Sequence, residues 1–419
     1  MAADEEELRR SAAAAATALH DNGDPTRLED AAGEKARLLV RAATVEEVAH
    51  ALAAFASGEP DSSAKVHTRT SDPRIAFMFA GQSETRAGMG QEIYDESACF
   101  ASVIDRCSAT MGATLGTALA SALYESDDPS LLDDARLAQP ALFALQCGLA
   151  ALWEQWGVAP EFVAGHSLGE YAAASVAGVM SLDDGTRLVA ARGHLTHSYA
   201  LPGRMAVVFA SEAWVNTALE THGADLSIAA VNAPEVVVVS GQVEAIAAFL
   251  VVADREGVSA KPLNISHPFH SRCIDPMLPR LAEAAAKTPF NAAQIPFAST
   301  LEGRLLTQDE IPDASYWCRH AREPVQFLNT MRELERAGCT IFLELGPHST
   351  LTSLGERCVA PEVAQWLPSL KRSGRDWQVL AGAAAKLWLA GVKIDLAMAA
   401  RSAGWTYLQP ASSAGRATR

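Results

Sequence analysis

An α/β fold built on a parallel sheet is predicted by two features of this 419-residue chain. Short apolar runs without alternation, several closed by glycine, alternate with helical stretches, the pattern of strands buried on both faces. Midway the rhythm tightens into a β-α-β-β-α-β order over about 60 residues, which fits a small ferredoxin-like unit inserted into the larger domain.

Residues 1–22 read as a marginal alanine-rich helix. TVEEVAHALAAF (Thr44–Phe55) has helical spacing behind a Thr N-cap, with an acidic residue near the third helical position. The polar, turn-forming stretch from Gly58 to Pro73 reads as a connector. IAFMFAG (Ile75–Gly81) is the first buried strand, followed by a long helical stretch through QPALFALQCGLAALWEQWG. EFVAGHSLGEYAAASVAGV reads as strand, sharp turn and helix, and DDGTRLVAARGHLTHSYA as a further helix. The inserted unit runs MAVVFA, EAWVNTALETHG, DLSIAAV, EVVVVSG, VEAIAAFLVVADREG and VSAKPLNIS. CTIFLELGP resumes the parallel sheet, WLPSLKR and DWQVLAGAAAKLWLAGV form a C-terminal extension, and the tail SSAGRATR is expected to be disordered. The expected divisions are an N-terminal linker region (1–73), a large subdomain (74–203 and 268–365), a small subdomain (204–267) and a C-terminal linker (366–419).

Composition narrows the function classes. Hydrophobic residues at 49% and charged residues at 20% suit a globular protein with a substantial core. The formal charge of −16, with no run of Lys and Arg, argues against a nucleic-acid partner. Seven scattered cysteines, odd in number and without CxxC spacing, read as reduced thiols; neither a disulfide frame nor a metal site is expected. The first 20 residues carry Asp4, Glu5, Glu6 and Glu7 and lack the basic start and bulky apolar core of a signal peptide. No stretch reaches the roughly 18 uncharged apolar residues of a membrane span. A soluble, cytoplasmic protein with no membrane partner is expected.

The strongest chemical signal is Gly165-His166-Ser167-Leu168-Gly169. A serine with glycines two positions to either side, after a strand and before a helix, matches a nucleophile elbow, as in hydrolase-like folds. Side chains at the glycine positions would collide with neighbouring backbone, and the helix N-terminus offers free N–H groups to an oxyanion. The bland alternative is a Gly-rich turn with a capping serine. A serine nucleophile needs a base, and His267 or His270 in ISHPFHS, leading out of the inserted unit, is the candidate. Lying three apart around a proline, the two point differently, so at most one serves; for either alone a surface or capping histidine is the plainer reading.

These motifs, taken in order, resemble the malonyl-CoA:acyl-carrier-protein acyltransferase family, specifically the acyltransferase domains of type I polyketide synthases, modular or iterative. The resemblance spans about Arg74 to Leu370 and rests on FAGQSETRAGMG, GHSLGEYAA, TRLVAARG, VNAPEVVVVSG, HPFHS, YWCRHAREPVQF and FLELGPHSTL. It implies Ser167 as nucleophile and His270 as base, with a main-chain carbonyl, not a carboxylate, orienting the imidazole. It also implies an oxyanion hole at Gln82 and Leu168, and substrate contacts from Arg192, Phe269, His166 and Gln139. Arg192 aligns with the arginine that grips the free carboxylate of a malonyl-type group, a task suited to a planar guanidinium; alone it would read as a solvated helix arginine.

The implied reaction loads malonyl from malonyl-CoA, a substrate and not a resident cofactor, and passes it to a phosphopantetheinylated acyl carrier protein. No permanently bound cofactor is implied. Neighbouring synthase domains are further expected partners, because residues 25–72 and the stretch from WLPSLKR resemble inter-domain linkers. Malonyl-selective members tend to read HAFH and methylmalonyl-selective ones YASH. HPFH puts Phe269 where an α-methyl branch would need room, and Leu168 is also of the malonyl type. The chain departs from the family at Gly81-Gln82-Ser83-Glu84-Thr85, where the family reads GQGSQ, at His320, where it has asparagine, and at Thr196 and His197. A serine hydrolase or thioesterase is the competing enzymatic reading, set back by the lack of an HGGG-like segment and of a role for Arg192. A non-catalytic docking domain is the competing non-enzymatic one.

Overall fold

The computed structural model describes residues 72–402 apart from 83–84, 115, 223–224, 266 and 362–363, together with residues 6, 8–13, 16–17, 36–40, 45–60 and 64–68. The Thr44 cap and the SSAGRATR tail lie outside the described residues, as does part of the helix expected over 1–22. The chain divides into two units: residues 1–73, 156–158 and 377–419, and residues 74–155 and 159–376.

In the first unit, β1 (Ala36–Val40) pairs antiparallel with β2 (Ala64–Thr68), and α1 (Val45–Ser57) connects them. Leu52 and Phe55 of α1 bury against Leu8 and Ala12. The connector expected over Gly58–Pro73 therefore contains a strand. AKVHT is a five-residue element of a two-stranded pair, too short and polar to stand out among turn-forming neighbours.

The second unit is built on strands that are apolar because both faces are covered. β3 (Ile75–Phe79) and β4 (Phe162–Gly165) are buried at every position. Between them lies α2 (Ala135–Gln155), preceded by three shorter helices (Gln91–Glu96, Ala98–Met111 and Leu119–Tyr124) where one long stretch was expected. By length and mean hydropathy (1.2) α2 could cross a membrane, yet 89% of its most apolar window is buried within the protein, as befits a core helix. After β4 come α3 (Gly169–Val176) and α4 (Leu182–Tyr199), the latter capped by Ser181, whose hydroxyl accepts from the Asp184 N–H.

The chain then forms β5 (Arg204–Val208), α5 (Glu212–His222), β6 (Leu226–Ala233), β7 (Val236–Gly241), α6 (Val243–Arg255) and β8 (Ala260–Pro262). Their strands make a separate antiparallel sheet in the order β6-β7-β5-β8. β9 (Phe297–Ser299), β10 (Arg304–Leu305), α7 (Ala314–Arg322), β11 (Ile341–Leu345) and β12 (Gln365–Pro368) complete the main sheet, ordered β10-β9-β4-β3-β11-β12. It is parallel throughout except for the β9–β10 pair. β9, β10 and β12, three, two and four residues long, were not read from the sequence, since none stands in an apolar run like that of β4. β12 also crosses the boundary expected at 365/366, so the sheet continues into the segment assigned to the C-terminal linker.

Val325, just beyond α7, pairs with β6 of the smaller sheet. Its N–H donates to the Ala229 carbonyl, and its own carbonyl accepts from the Val231 N–H.

Candidate active site

Ser167 stands between the end of β4 and the start of α3, with φ 48°, in the left-handed region that non-glycine residues rarely occupy. The flanking glycines make this turn possible. A Cβ on Gly165 would overlap the Glu170 backbone, and one on Gly169 would overlap the Phe79 carbonyl. The first bonds of the new helical turn are Gly169 N–H to the His166 carbonyl (3.0 Å) and Glu170 N–H to the Ser167 carbonyl (2.9 Å). The Leu168 amide lies ahead of them, at the helix N-terminus.

The Ser167 hydroxyl lies 2.7 Å from His270 Nε2. His270 Nδ1 lies 2.8 Å from the Glu323 carbonyl. A carbonyl only accepts, so Nδ1 carries the ring proton and Nε2 is bare, ready to take the serine proton. His270 is 3% exposed. Burial, then the nearby Arg192 charge, pushes its pKa down to about 3, so the imidazole is a neutral base over the working range. It too has a positive φ, 58°, which turns its ring out of the β8 return toward the elbow. His267 packs its ring 5.8 Å from that of Phe269. The chain thus brings His270, of the two histidines, to the serine.

Arg192, in the middle of α4, is 1% exposed. One guanidinium amine donates to Gln139 Oε1 of α2 at 2.7 Å. The guanidinium carbon lies 5.8 Å from the ring centre of Tyr171 and 5.4 Å from that of Phe269. Its Nε–H is buried without a partner, and among the described residues no carboxylate neutralises it. Burial lowers its pKa, the mark of a desolvated cation.

The remaining candidates surround this axis. His166 Nε2 bonds Asn232 Oδ1 at 2.8 Å, and burial lowers its pKa. Phe269 is buried beside His270. Gln82 follows β3 in the loop whose Gly81 would put a Cβ 2.8 Å from the His166 ring; Gln82 Oε1 is buried and unpaired. Ser83 and Glu84 lie outside the described residues.

Sequence reasoning passed over three neighbours: Tyr171, Glu170 and the position of His320. Glu170 and Tyr171 sit inside GHSLGEY, so the signal was present but read only as helix start. His320 of α7 has its ring 5.5 Å from Tyr171 and 6.3 Å from His270. Among the described residues, then, the site holds a hydroxyl with an adjacent neutral base, helix-terminal N–H groups, and a buried cation lacking an anion. No group of His, Cys, Asp and Glu suited to a metal occurs among them.

Residues 76–394 match the acyl transferase domain family. Over 358 residues the chain is 36% identical to polyketide synthase GfsA of Streptomyces halstedii, covering 84% of this chain and 5% of that protein. It is 36% identical over 360 residues to the phenolphthiocerol synthesis polyketide synthase type I Pks15/1 of Mycobacterium marinum, covering 86% of this chain and 17% of that one. The chain therefore spans only a small part of the length of these relatives. Among solved structures, the acyltransferase domain from the second module of the salinomycin polyketide synthase superposes with a TM-score of 0.79 at 37% identity, over 87% of this chain and 85% of that one. The acyl carrier protein S-malonyltransferase of Vibrio cholerae superposes at 0.64 and 27% identity, over 71% and 97%. The chain belongs to the acyl transferase domain family, as an acyltransferase domain of the type I polyketide synthase kind.

Proposed function

We propose that the chain takes a malonyl group from malonyl-CoA onto Ser167 and hands it to the phosphopantetheine thiol of an acyl carrier protein. The observation that carries this reading is the buried Arg192 guanidinium, without an anion of its own, in the same site as the Ser167–His270 pair. A lone buried cation is costly unless a ligand supplies the counter-charge, and a dicarboxylic acyl group supplies it.

In the first half-reaction His270 Nε2 takes the Ser167 proton as Oγ bonds the thioester carbon. The Leu168 and Gln82 N–H groups face the developing oxyanion. The C–S bond then breaks, and the CoA sulfur leaves with the proton held on His270. In the second half, the carrier thiol gives its proton to His270 and attacks the serine ester, and Ser167 Oγ recovers that proton. The Glu323 carbonyl keeps Nδ1 protonated throughout. Gln139 holds Arg192 in place, and Phe269 narrows the space for an α-branch. No resident cofactor enters.

The antiparallel inserted unit is read as ferredoxin-like from its strand order, and residues 1–73 and 366–419 as linker regions beside neighbouring synthase domains. The seven free thiols suit the cytoplasm. Intact-mass spectrometry after incubation with malonyl-CoA tests the proposal. One malonyl adduct on the wild type that moves to a carrier protein, and none on Ser167→Ala, is expected. Release of free malonate at the rate of loading would support a hydrolase instead.

A further inference from the structure

The proton balance around Glu170 points to a role that the reaction above leaves unused. Glu170 follows the nucleophile by three residues and is fully buried. Thr300, at the end of β9, gives its N–H to Glu170 Oε2 at 2.9 Å. The Thr300 hydroxyl contacts the same Oε2 and also the Gly165 carbonyl, the latter at 2.8 Å. The Tyr316 hydroxyl contacts Glu170 Oε1 and is in turn 2.6 Å from the Ser299 hydroxyl.

The Thr300 hydroxyl has a single hydrogen but faces two acceptors if Glu170 is a carboxylate. Both contacts are hydrogen bonds only when Glu170 carries the proton: its Oε2–H then donates to Thr300 Oγ1, and Thr300 donates to Gly165. No cation compensates a carboxylate here among the described residues. The nearest candidate, His320 Nε2, lies 3.8 Å away and is held neutral by burial, His270 and Arg192. The other ionisable neighbours, Tyr316 of α7, Tyr171 of α3 and Glu302 beyond β9, are neutral or acidic, and burial itself raises the Glu170 pKa to about 7.

We propose that Glu170 is an uncharged carboxylic acid and a positioning residue for the nucleophile: through Thr300 and Tyr316 it ties both ends of the strained Ser167 turn to β9 and α7. The strain at Ser167 persists only where surrounding structure over-determines it, and this chain of bonds joins Gly165 on one side of the serine to Glu170 on the other. The inference rests on Ser167 being the nucleophile.

Four variants of the full chain test it. Glu170→Gln keeps an acceptor for the Tyr316 hydroxyl and a donor toward Thr300 Oγ1 but cannot accept the Thr300 N–H, so it should recover part of the acylation kcat that Glu170→Ala loses, a loss of about tenfold to a hundredfold with KM little changed. Thr300→Val should lose a similar factor and Thr300→Ser retain it. The wild type should show a protonated-carboxyl C=O infrared band at about pH 5.5, below the folded pKa of about 7, that Glu170→Gln lacks. A further readout is stability against pH. Because the folded pKa lies above the usual 4.5, this group's contribution is complete below 4.5 and is lost as pH rises through about 7. Glu170→Gln should remove that loss.

An absent band, or a Glu170→Gln variant as impaired as Glu170→Ala, overturns the proposal. Should Glu170→Ala not fold, the Thr300 pair and the infrared band still decide it. If Ser167→Ala still acquires the acyl group, the nucleophile assignment fails first. If Ser167→Ala is inert while the Thr300 variants match the wild type, only the Glu170 role fails.

Discussion

If Arg192 holds the malonyl carboxylate as proposed, replacing it with alanine should abolish the distinction between malonyl and acetyl groups. Arg192 is almost wholly buried, anchored to Gln139 on one amine, and unpaired at Nε. Its remaining N–H donors have no other anion among the described residues, so a malonyl carboxylate would be matched by this group alone. Breaking a buried guanidinium–carboxylate pair by removing one partner costs about 3–5 kcal/mol. At about 1.36 kcal/mol per factor of ten, kcat/KM for malonyl-CoA should fall by about two hundredfold to several thousandfold. Acetyl-CoA makes no such contact and should change by no more than about threefold. Arg192→Lys should fall between, since an ammonium keeps the charge but lacks the planar fork. The assay is single-turnover loading of Ser167 by each CoA ester, followed by mass. Equal losses for malonyl and acetyl would refute the carboxylate role and leave Arg192 as a packing residue against Tyr171 and Phe269.

Other outcomes follow from the same geometry. His270→Ala should slow loading by about 10² to 10⁴, whereas His267→Ala should cost far less; the reverse order would mean that the wrong histidine has been assigned as base. Because His270 is held neutral down to about pH 3, it should impose no acid limb on the loading rate between pH 5 and 7, and an unmodified histidine limb near 6.5 would contradict its burial. Phe269→Ser should open space for an α-methyl group. Overpacking by one methyl usually costs about 1–3 kcal/mol, so the wild type should favour malonyl- over methylmalonyl-CoA by about tenfold to a hundredfold, and the variant should lose most of that margin. An unchanged ratio would remove Phe269 from selectivity.

Much of this site was legible because its chemistry is written locally. The strand, turn and helix around Ser167 lie within a dozen residues, and their glycines are dictated by backbone contacts that the same short segment creates. Apolar runs identified β3, β4 and β11 because strands covered on both faces leave no room for polar alternation. β9, β10 and β12 were invisible, since they are short and, unlike the apolar FVAG of β4, stand in no apolar run bounded by a motif; they pair because their neighbours are already in place.

Apart from what the family resemblance implied, the residues themselves left to the tertiary structure what meets what. Composition and spacing left His267 and His270 equal; the β8 return and a left-handed backbone turn bring one of them to a serine 103 residues earlier. The resemblance implied a main-chain carbonyl as the group that orients it; that this carbonyl is the one of Glu323, 53 residues further on, is announced by no side-chain pattern. Arg192 and Gln139 look like ordinary helix residues until α4 packs on α2 and removes both from water. The charge state of Glu170 is the furthest from the sequence. It rests on a single hydroxyl hydrogen of Thr300, just after β9, that faces acceptors on β4 and α3, and only the closed fold brings those three segments together.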